Sequence, residues 1–366
     1  MSKRLLLVGG GHAHALVLLD FARRPEPALD VVLIAGEPSA PYSGMLPGLV
    51  AGRFSRDACH IDLPRLARAA GARVIAARVA SIDVVAREAW LEDGGREAFD
   101  LLSLNVGITP DLGGIAGAAE HGIAVKPISA FHPKWATVKA AADRGRLPSL
   151  AIIGGGAAGF ELAISAREAL GSATAICLIA GGTLLAGLGA RVTALGRRAL
   201  ERAHVELVED DAATAVTPEG AVLASGRSVG AATVLVTTGA APAPWYSGTA
   251  LPLSPNGYLA ARPTLQLDGL DHVLGAGDGI DVIAHPRPKA GVIAVRQGPA
   301  LARNLRRLAR GEAPLPFVPQ RRWLQLLTSG PDRAIALWGG LAQEGRWALK
   351  LKDRIDLGFM RAFERV

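Results

Sequence analysis

Short apolar runs recur along the chain and alternate with alanine-rich stretches of helical character. Leu5–Val8, the run within "DVVLIAGE" (30–37), "LLSL" (101–104), "AICLI" (175–179) and "TVLV" (233–236) are almost uninterrupted in their hydrophobicity, and glycine or another small residue follows each closely. Strands that alternate polar and apolar positions expose one face; continuous runs such as these read as parallel strands covered on both faces by the helices between them. The class expected is therefore α/β. Near the end of the chain the pattern changes to one large apolar residue at every fourth position: Trp347, Leu351, Ile355, Phe359 and Phe363, joined by Met360. Lys350, Arg354, Arg361 and Arg365 flank this stripe, and Gly358 interrupts it. Such a basic amphipathic helix either covers a core or lies in a bilayer interface, and covering the core is the preferred reading.

Composition narrows this picture. With 366 residues, half of them hydrophobic, the chain can bury two cores. Its two cysteines, Cys59 and Cys177, lie far apart in no metal or dithiol spacing, so no metal site, disulfide framework or paired thiol is expected, and a reducing, cytoplasmic setting fits. Lys3 and Arg4 precede an apolar stretch as in a secretion signal, but three glycines and two histidines break it. No apolar run approaches the roughly 18 residues of a membrane span. The net charge of +7 suits an anionic cofactor or an acidic lipid surface. Nucleic acid is not expected, since no helix-turn-helix or aromatic RNA-binding motif occurs.

The chemistry lies in a repeated motif. After Leu5–Val8 come Gly9, Gly10 and Gly11, then His12, Ala13 and His14; "AIIGGGAAGFELA" (151–163) repeats this order with Gly154, Gly155 and Gly156, and with Gly159 in the place of His14. In such a loop the first glycine makes the turn and the third lets the backbone approach a pyrophosphate. The last allows close helix-strand packing, with the helix N-terminus facing the phosphates. "FDLLSLNVGITP" (99–110) and "AATVLVTTGAAP" (231–242) then carry Gly107 and Gly239 at strand ends, where a missing side chain keeps the backbone low against a dinucleotide. "TLQLDGLDHVLGAGDG" (264–279) ends in Gly277 and Asp278. That carboxylate can accept from a ribitol hydroxyl, or else close an Asx-turn or cap a helix; beside the other four signals the flavin reading is preferred.

This order of signals resembles the two-dinucleotide-domain flavoprotein superfamily of type II NADH dehydrogenases, sulfide:quinone reductases and pyridine nucleotide-disulfide reductases, over nearly the whole chain. "GGGHAH" (9–14), "PYSGMLPG" (41–48), "LSLNVG" (102–107), "VKP" (125–127) and "PKAGVIAVRQGP" (288–299) are more particularly similar to the oxidoreductase module fused in some proteins to selenide,water dikinase. The resemblance implies two Rossmann-like dinucleotide-binding domains: an FAD domain, 1–112 plus 251–320, split by an NAD(P)H domain at 113–250. A C-terminal interface segment, 321–366, follows the proline-marked linker "RGEAPLPFVPQ". Flavin contacts are implied at Gly9, Gly10, Gly11, His12, Ala13, His14, Glu37, Ser43, Val79, Gly107, Gly277, Asp278, Ala290 and Gly291. Nucleotide contacts are implied at Gly154, Gly155, Gly156, Gly159 and Gly239. His12 should turn its backbone N–H toward the pyrophosphate. For His14, filling space beneath the helix and bonding a neighbouring strand is preferred to touching the flavin.

The same resemblance gives Glu161, Lys126 and Lys352 candidate catalytic roles: Glu161 near nicotinamide and flavin, either lysine offsetting charge on the reduced flavin. A solvated surface position is the plain alternative for each. The ribose acid usual after the second strand is missing: Ala35 stands there in the first unit, with Glu37 two residues on, and Ala180, Gly181 and Gly182 follow the corresponding strand of the second. The expected activity is NAD(P)H-to-flavin hydride transfer without a redox disulfide, then delivery to a small-molecule acceptor. Quinone is the first acceptor, although the position of the related dehydrogenases' quinone-contacting glutamine falls at Val292. A selenium or sulfur species, or a flavin-bound interaction module with little turnover, are the alternatives. Attachment to the inner face of a membrane and a homodimer are both compatible with the sequence.

Overall fold

The computed structural model describes residues 2–112 and 114–366. Strand β1 (Lys3–Val8) leads into helix α1 (His12–Arg23), then β2 (Leu29–Ile34), β3 (Arg73–Ile75) and β4 (Leu101–Leu104). These strands are parallel in the order β3-β2-β1-β4. Leu5, Leu6 and Leu7 are all fully buried because both faces of β1 are covered, which is why no polar residue alternates there.

The inserted unit repeats the plan. It comprises β5 (Gly122–Ala124), β6 (Ser149–Ile153), α2 (Ala157–Leu170), β7 (Ala175–Ile179), β8 (Glu206–Val208) and β9 (Thr233–Val236), in an all-parallel sheet ordered β5-β9-β6-β7-β8. Its two crossings to the first unit are tied together, since Thr109 and Pro110 pair antiparallel with Ala241 and Ala240. The chain then returns through β10 (Leu259–Ala261), β11 (Gln266–Leu267), β12 (Leu270–Gly275) and β13 (Ile280–Val282). Strand β12 lies parallel to β4, with Val273 opposite Leu102, and completes an eight-stranded sheet, β13-β10-β11-β12-β4-β1-β2-β3. Helix α3 (Gly291–Ala309) packs on α1, where a side chain at Gly298 would overlap Leu16.

The last segment is an antiparallel sheet, β14 (Gln325–Gly330), β15 (Arg333–Trp338) and β16 (Leu341–Gly345), followed by α4 (Arg346–Glu364). Gly358 does not break this helix. The stripe expected from the sequence divides: Met360 and Phe363 are buried and Phe359 packs on Tyr42, whereas Trp347 and Ile355 are exposed. A four-residue spacing drifts about 40° per step on a helix of 3.6 residues per turn, so its two ends cannot face the same neighbour. Among the described residues no helix is long and apolar enough to cross a membrane.

Candidate active site

A cleft of about 470 Å³ is lined by the residues that end or follow β1, β2, β4 and β12, among them Val8, Ile34, Asn105 and Gly277. This is the carboxyl edge of the larger sheet, where strand order reverses about β1 and ligands of doubly wound folds collect. Gly9, Gly10, Gly11 and His12 form one wall; Glu37, Ser43, Val79, Gly107, Lys126, Gly277, Asp278 and Gly291 complete it. Ala290 is the N-cap of α3 and does not line the cleft.

The glycine loop is held by a residue that its motif does not include. Asn105, buried at the end of β4, accepts through Oδ1 from the N–H groups of Ala13 (3.1 Å) and His14 (3.2 Å) and donates through Nδ2 to the Ala276 carbonyl (2.8 Å). Gln297 of α3 accepts from the Gly277 N–H at 2.7 Å. Two buried amides thus join both halves of the split first unit around the cleft. The available signal was an amide at the end of an apolar strand and another inside an apolar helix face, where only a hydrogen-bonding duty offsets the cost of burial. This corrects the assignment of Ala13, whose N–H is taken by Asn105. Gly11, the N-cap of α1, has no side chain to do this. Among the described residues, the His12 N–H is the donor its first turn keeps for the cleft.

His14 is completely buried and does not line the cleft, so a flavin contact is ruled out. Its Nδ1 lies 2.7 Å from the Gly9 carbonyl and its Nε2 2.9 Å from Ser103 Oγ of β4. A carbonyl only accepts, so Nδ1 carries the proton and Nε2 accepts from the serine. The second loop explains the exchange of residue types. A side chain at Gly159 would overlap the Gly154 carbonyl oxygen, the counterpart of the Gly9 carbonyl. In the first loop the corresponding position carries an imidazole that donates to that carbonyl. Burial holds the His14 pKa at about 4.

His12 lies on the cleft wall, with Nε2 3.0 Å from the Pro41 carbonyl and its ring edge-on to Tyr42. Burial lowers its pKa, against the partial support of the Pro41 hydrogen bond, so the ring is held neutral. Lys126 lines the cleft 3.6 Å from Asp278. Lys352 does not: it is buried, donating to the Gly44 carbonyl (2.6 Å) and to Asp356 (2.8 Å). Its charge is thus balanced by a carboxylate one turn further along the same helix. Glu161 lies off the cleft lining, half-buried, accepting from the Thr328 N–H at 2.7 Å. Removal from water raises its pKa, and the Lys352 ammonium and the Thr328 donors only partly offset that.

Glu37 pairs with Arg78 at 3.1 Å, and both line the cleft. In the second unit Glu209, just after β8, accepts from the Leu184 N–H (2.7 Å) near the Gly181–Gly182 turn and pairs with Arg197, holding the segment after β7. Both cysteines are buried in different apolar clusters, and burial pushes Cys59 up to about 11 and Cys177 up to about 12. No group of metal-binding side chains occurs among the described residues.

The family model for the pyridine nucleotide-disulphide oxidoreductases matches residues 3–298. The chain belongs to this family. An NADH dehydrogenase-like protein of Bacillus subtilis, YutJ, is 22% identical over 319 residues, 87% of each chain. The solved NDH2 of Plasmodium falciparum, in complex with NADH, has a TM-score of 0.85 at 12% identity, covering 98% of this chain and 97% of that one. The sulfide:quinone oxidoreductase of Aquifex aeolicus has a TM-score of 0.82 at 16% identity, covering 100% and 92%. The fold is the two-dinucleotide-domain α/β fold of these proteins, and the member described here is an FAD- and NAD(P)H-dependent oxidoreductase.

Its residues fit FAD. Gly107 has φ +80° with no heavy atom within 4 Å of where a side chain would begin, so the cleft wall there is open to a closely approaching ligand. Asp278 presents a carboxylate at the base of the same cleft. Asp278→Ala is expected to weaken FAD binding about 10- to 100-fold, the equivalent of a charge-assisted hydrogen bond of about 1.5–3 kcal/mol. The flavin-to-protein ratio after purification reads this directly, and full occupancy in the variant would remove Asp278 from the site.

Proposed function

We propose that this oxidoreductase passes electrons from NAD(P)H through FAD to a quinone, with no thiol taking part. The observation that carries the reading is the state of the cysteines. Each is buried in its own cluster with a raised pKa, so neither supplies a thiolate and they cannot form a pair. FAD, when bound, supplies acceptance of hydride from the nicotinamide and release of two electrons to a second substrate. The chain's own groups position and exclude. The neutral His12 ring on the cleft wall is packed from behind by Tyr42 and Phe359. Lys126 places positive charge at the cleft opposite Asp278.

The sulfide:quinone oxidoreductase among the structural relatives supports a quinone as acceptor. Trp338, Leu341 and Trp347, exposed on the C-terminal segment, offer apolar contact with the membrane face that lipid-soluble quinones occupy. A selenium or sulfur acceptor gains no nucleophilic thiol here.

Anaerobic stopped-flow mixing with NADH and with NADPH, followed by a short-chain quinone, tests the reading. Flavin should bleach on the first mix and recover on the second, and Cys59→Ser/Cys177→Ser should do both at close to the wild-type rate. An unbleached flavin would make the protein a flavin-bound interaction module instead. Loss of bleaching in a folded double-serine variant would restore the thiol route.

A further inference from the structure

Helix α2 is apolar on most sides, yet Glu161, Ser165 and Glu168 follow one another at i, i+4 and i+7, which places them in a row along one face. That face meets β14 through Thr328 and the segment after the short helix Leu46–Val50 through Arg53, which also pairs with Asp353 of α4, while the charges of Lys352 and Asp356 on α4 act on Glu161. The seam between them is polar and incompletely paired. Ser165 Oγ is on a fully buried residue and has no hydrogen-bond partner, and the same holds for the buried Glu168 Oε2 and Arg53 Nε atoms. Buried polar atoms without protein partners are ordinarily bonded to internal water. Side chains one helical turn apart are about 5–6 Å from each other, too far for a direct hydrogen bond and right for one bridging water.

The two ends of the seam differ. At one end Lys352 and Asp356 are buried beside Gly44 and Tyr42, which adjoin the cleft residues Ser43 and His12. At the other, Glu168 lies 4.0 Å and Asp353 3.7 Å from Arg53, with Asp353 about one-third exposed. A row of carboxyl and hydroxyl groups with unpaired buried atoms, one end near solvent and the other near the cleft, has the form of a proton path. The reaction proposed above consumes a proton: NAD(P)H + H⁺ + quinone gives NAD(P)⁺ + quinol. Two electrons and one hydrogen come from the nucleotide, and the second hydrogen comes from solvent.

We propose that the Glu161–Ser165–Glu168 face of α2 is a water-filled passage that takes this proton from the Arg53–Asp353 surface to the Lys352–Asp356 end beside the cleft. The proposal rests on the reading of the acceptor as a quinone. Its carboxyl groups are suited to hold protons. Burial raises Glu161, Glu168 and Asp353 above the ordinary carboxylate range; Arg53 draws Glu168 and Asp353 back, Lys352 draws Glu161 and Asp353 back, and Asp356 adds to the rise at Glu161 and Asp353. Glu168 and Ser165 touch neither the cleft nor its ligand; they act on the proton alone.

The test compares acceptors in the FAD-loaded enzyme. Ferricyanide takes electrons without protons, whereas quinone needs both. Glu168→Gln and Ser165→Val should leave flavin bleaching by NAD(P)H and turnover with ferricyanide unchanged, and slow reoxidation by quinone at least about tenfold. The slowed step should gain a solvent isotope effect and lose its acid limb. Two variants guard against a misfolded one, and a high-resolution crystal structure of the wild-type holoenzyme should show ordered water joining Ser165 Oγ and Glu168 Oε2. Quinone rates equal to wild type in both folded variants, or a dry seam, overturn the passage. A wild-type enzyme that is bleached but reoxidised by no quinone defeats the acceptor reading instead, and the ordered water then decides the passage by itself.

Discussion

Lys352→Met is expected to destabilise the protein by about 3–5 kcal/mol, the cost of stranding a buried charge. Lys352 and Asp356 are 8% and 5% exposed and sit one turn apart on α4 with 2.8 Å between their charged atoms. The lysine also closes the loop at Gly44. Without the ammonium, the Asp356 carboxylate is left with no counter-ion among Tyr42, Cys59 and Glu161, whose pKa values its field already raises. Desolvation is then uncompensated. The double variant Lys352→Met/Asp356→Leu should regain most of the loss, because replacing both members of a buried pair by apolar groups is often close to neutral. Urea unfolding of the FAD-loaded proteins decides this. A single variant within about 1 kcal/mol of wild type would mean that the pair is solvated and that α4 is held by its aromatic contacts alone.

Acid should weaken the folded state through His14. In the unfolded chain its imidazole takes a proton near 6.5, whereas in the folded protein burial delays uptake until about pH 4. Between these values the unfolded state binds more protons, so stability falls as pH falls across that window, and the contribution is complete above pH 6.5. A displacement of this size corresponds to about 3 kcal/mol. His12, also lowered by burial, adds in the same direction. His14→Leu should be less stable than wild type at pH 8, because the Gly9 carbonyl and the Ser103 hydroxyl lose their partner. The gap should narrow by about 3 kcal/mol at pH 4, since leucine has no proton to take up. Parallel stability curves for the two proteins from pH 8 to pH 4 would show that His14 is not neutral and buried in the folded state.

Much of the site is legible in the chain itself, because the features that reveal it are local. The Gly9–Gly11 and Gly154–Gly156 loops, Gly107 and the Gly277–Asp278 end are each set by the backbone a tight turn or a close approach requires, and that requirement is met within a few residues. The start of α3 at Gly291 is legible for the same reason. Groups whose role depends on long-range partners are not. Asn105 gives no sign of binding Ala13, His14 and Ala276 until β4, α1 and β12 are side by side, and Glu209 reaches the Leu184 N–H after β7 only from the neighbouring strand. Lys352 has the look of a free cation in the sequence because Asp356, one turn away, could as well have been on the solvent face.

By itself, then, the order of residues determined the alternation of buried strands and helices, the repetition of the phosphate-facing loop and the absence of spaced thiols, all properties of short-range pattern and backbone geometry. Tertiary structure alone decided which polar groups are neutralised and which remain available. It turned His14 inward onto the Gly9 carbonyl, paired Lys352 with Asp356, divided the α4 stripe between core and solvent, and brought Glu161, Ser165 and Glu168 against Arg53 and Thr328. The physical reason is that the energy of a charge or hydrogen bond depends on its distance from water and from partners distant in sequence, and neither is a property of the segment that carries it.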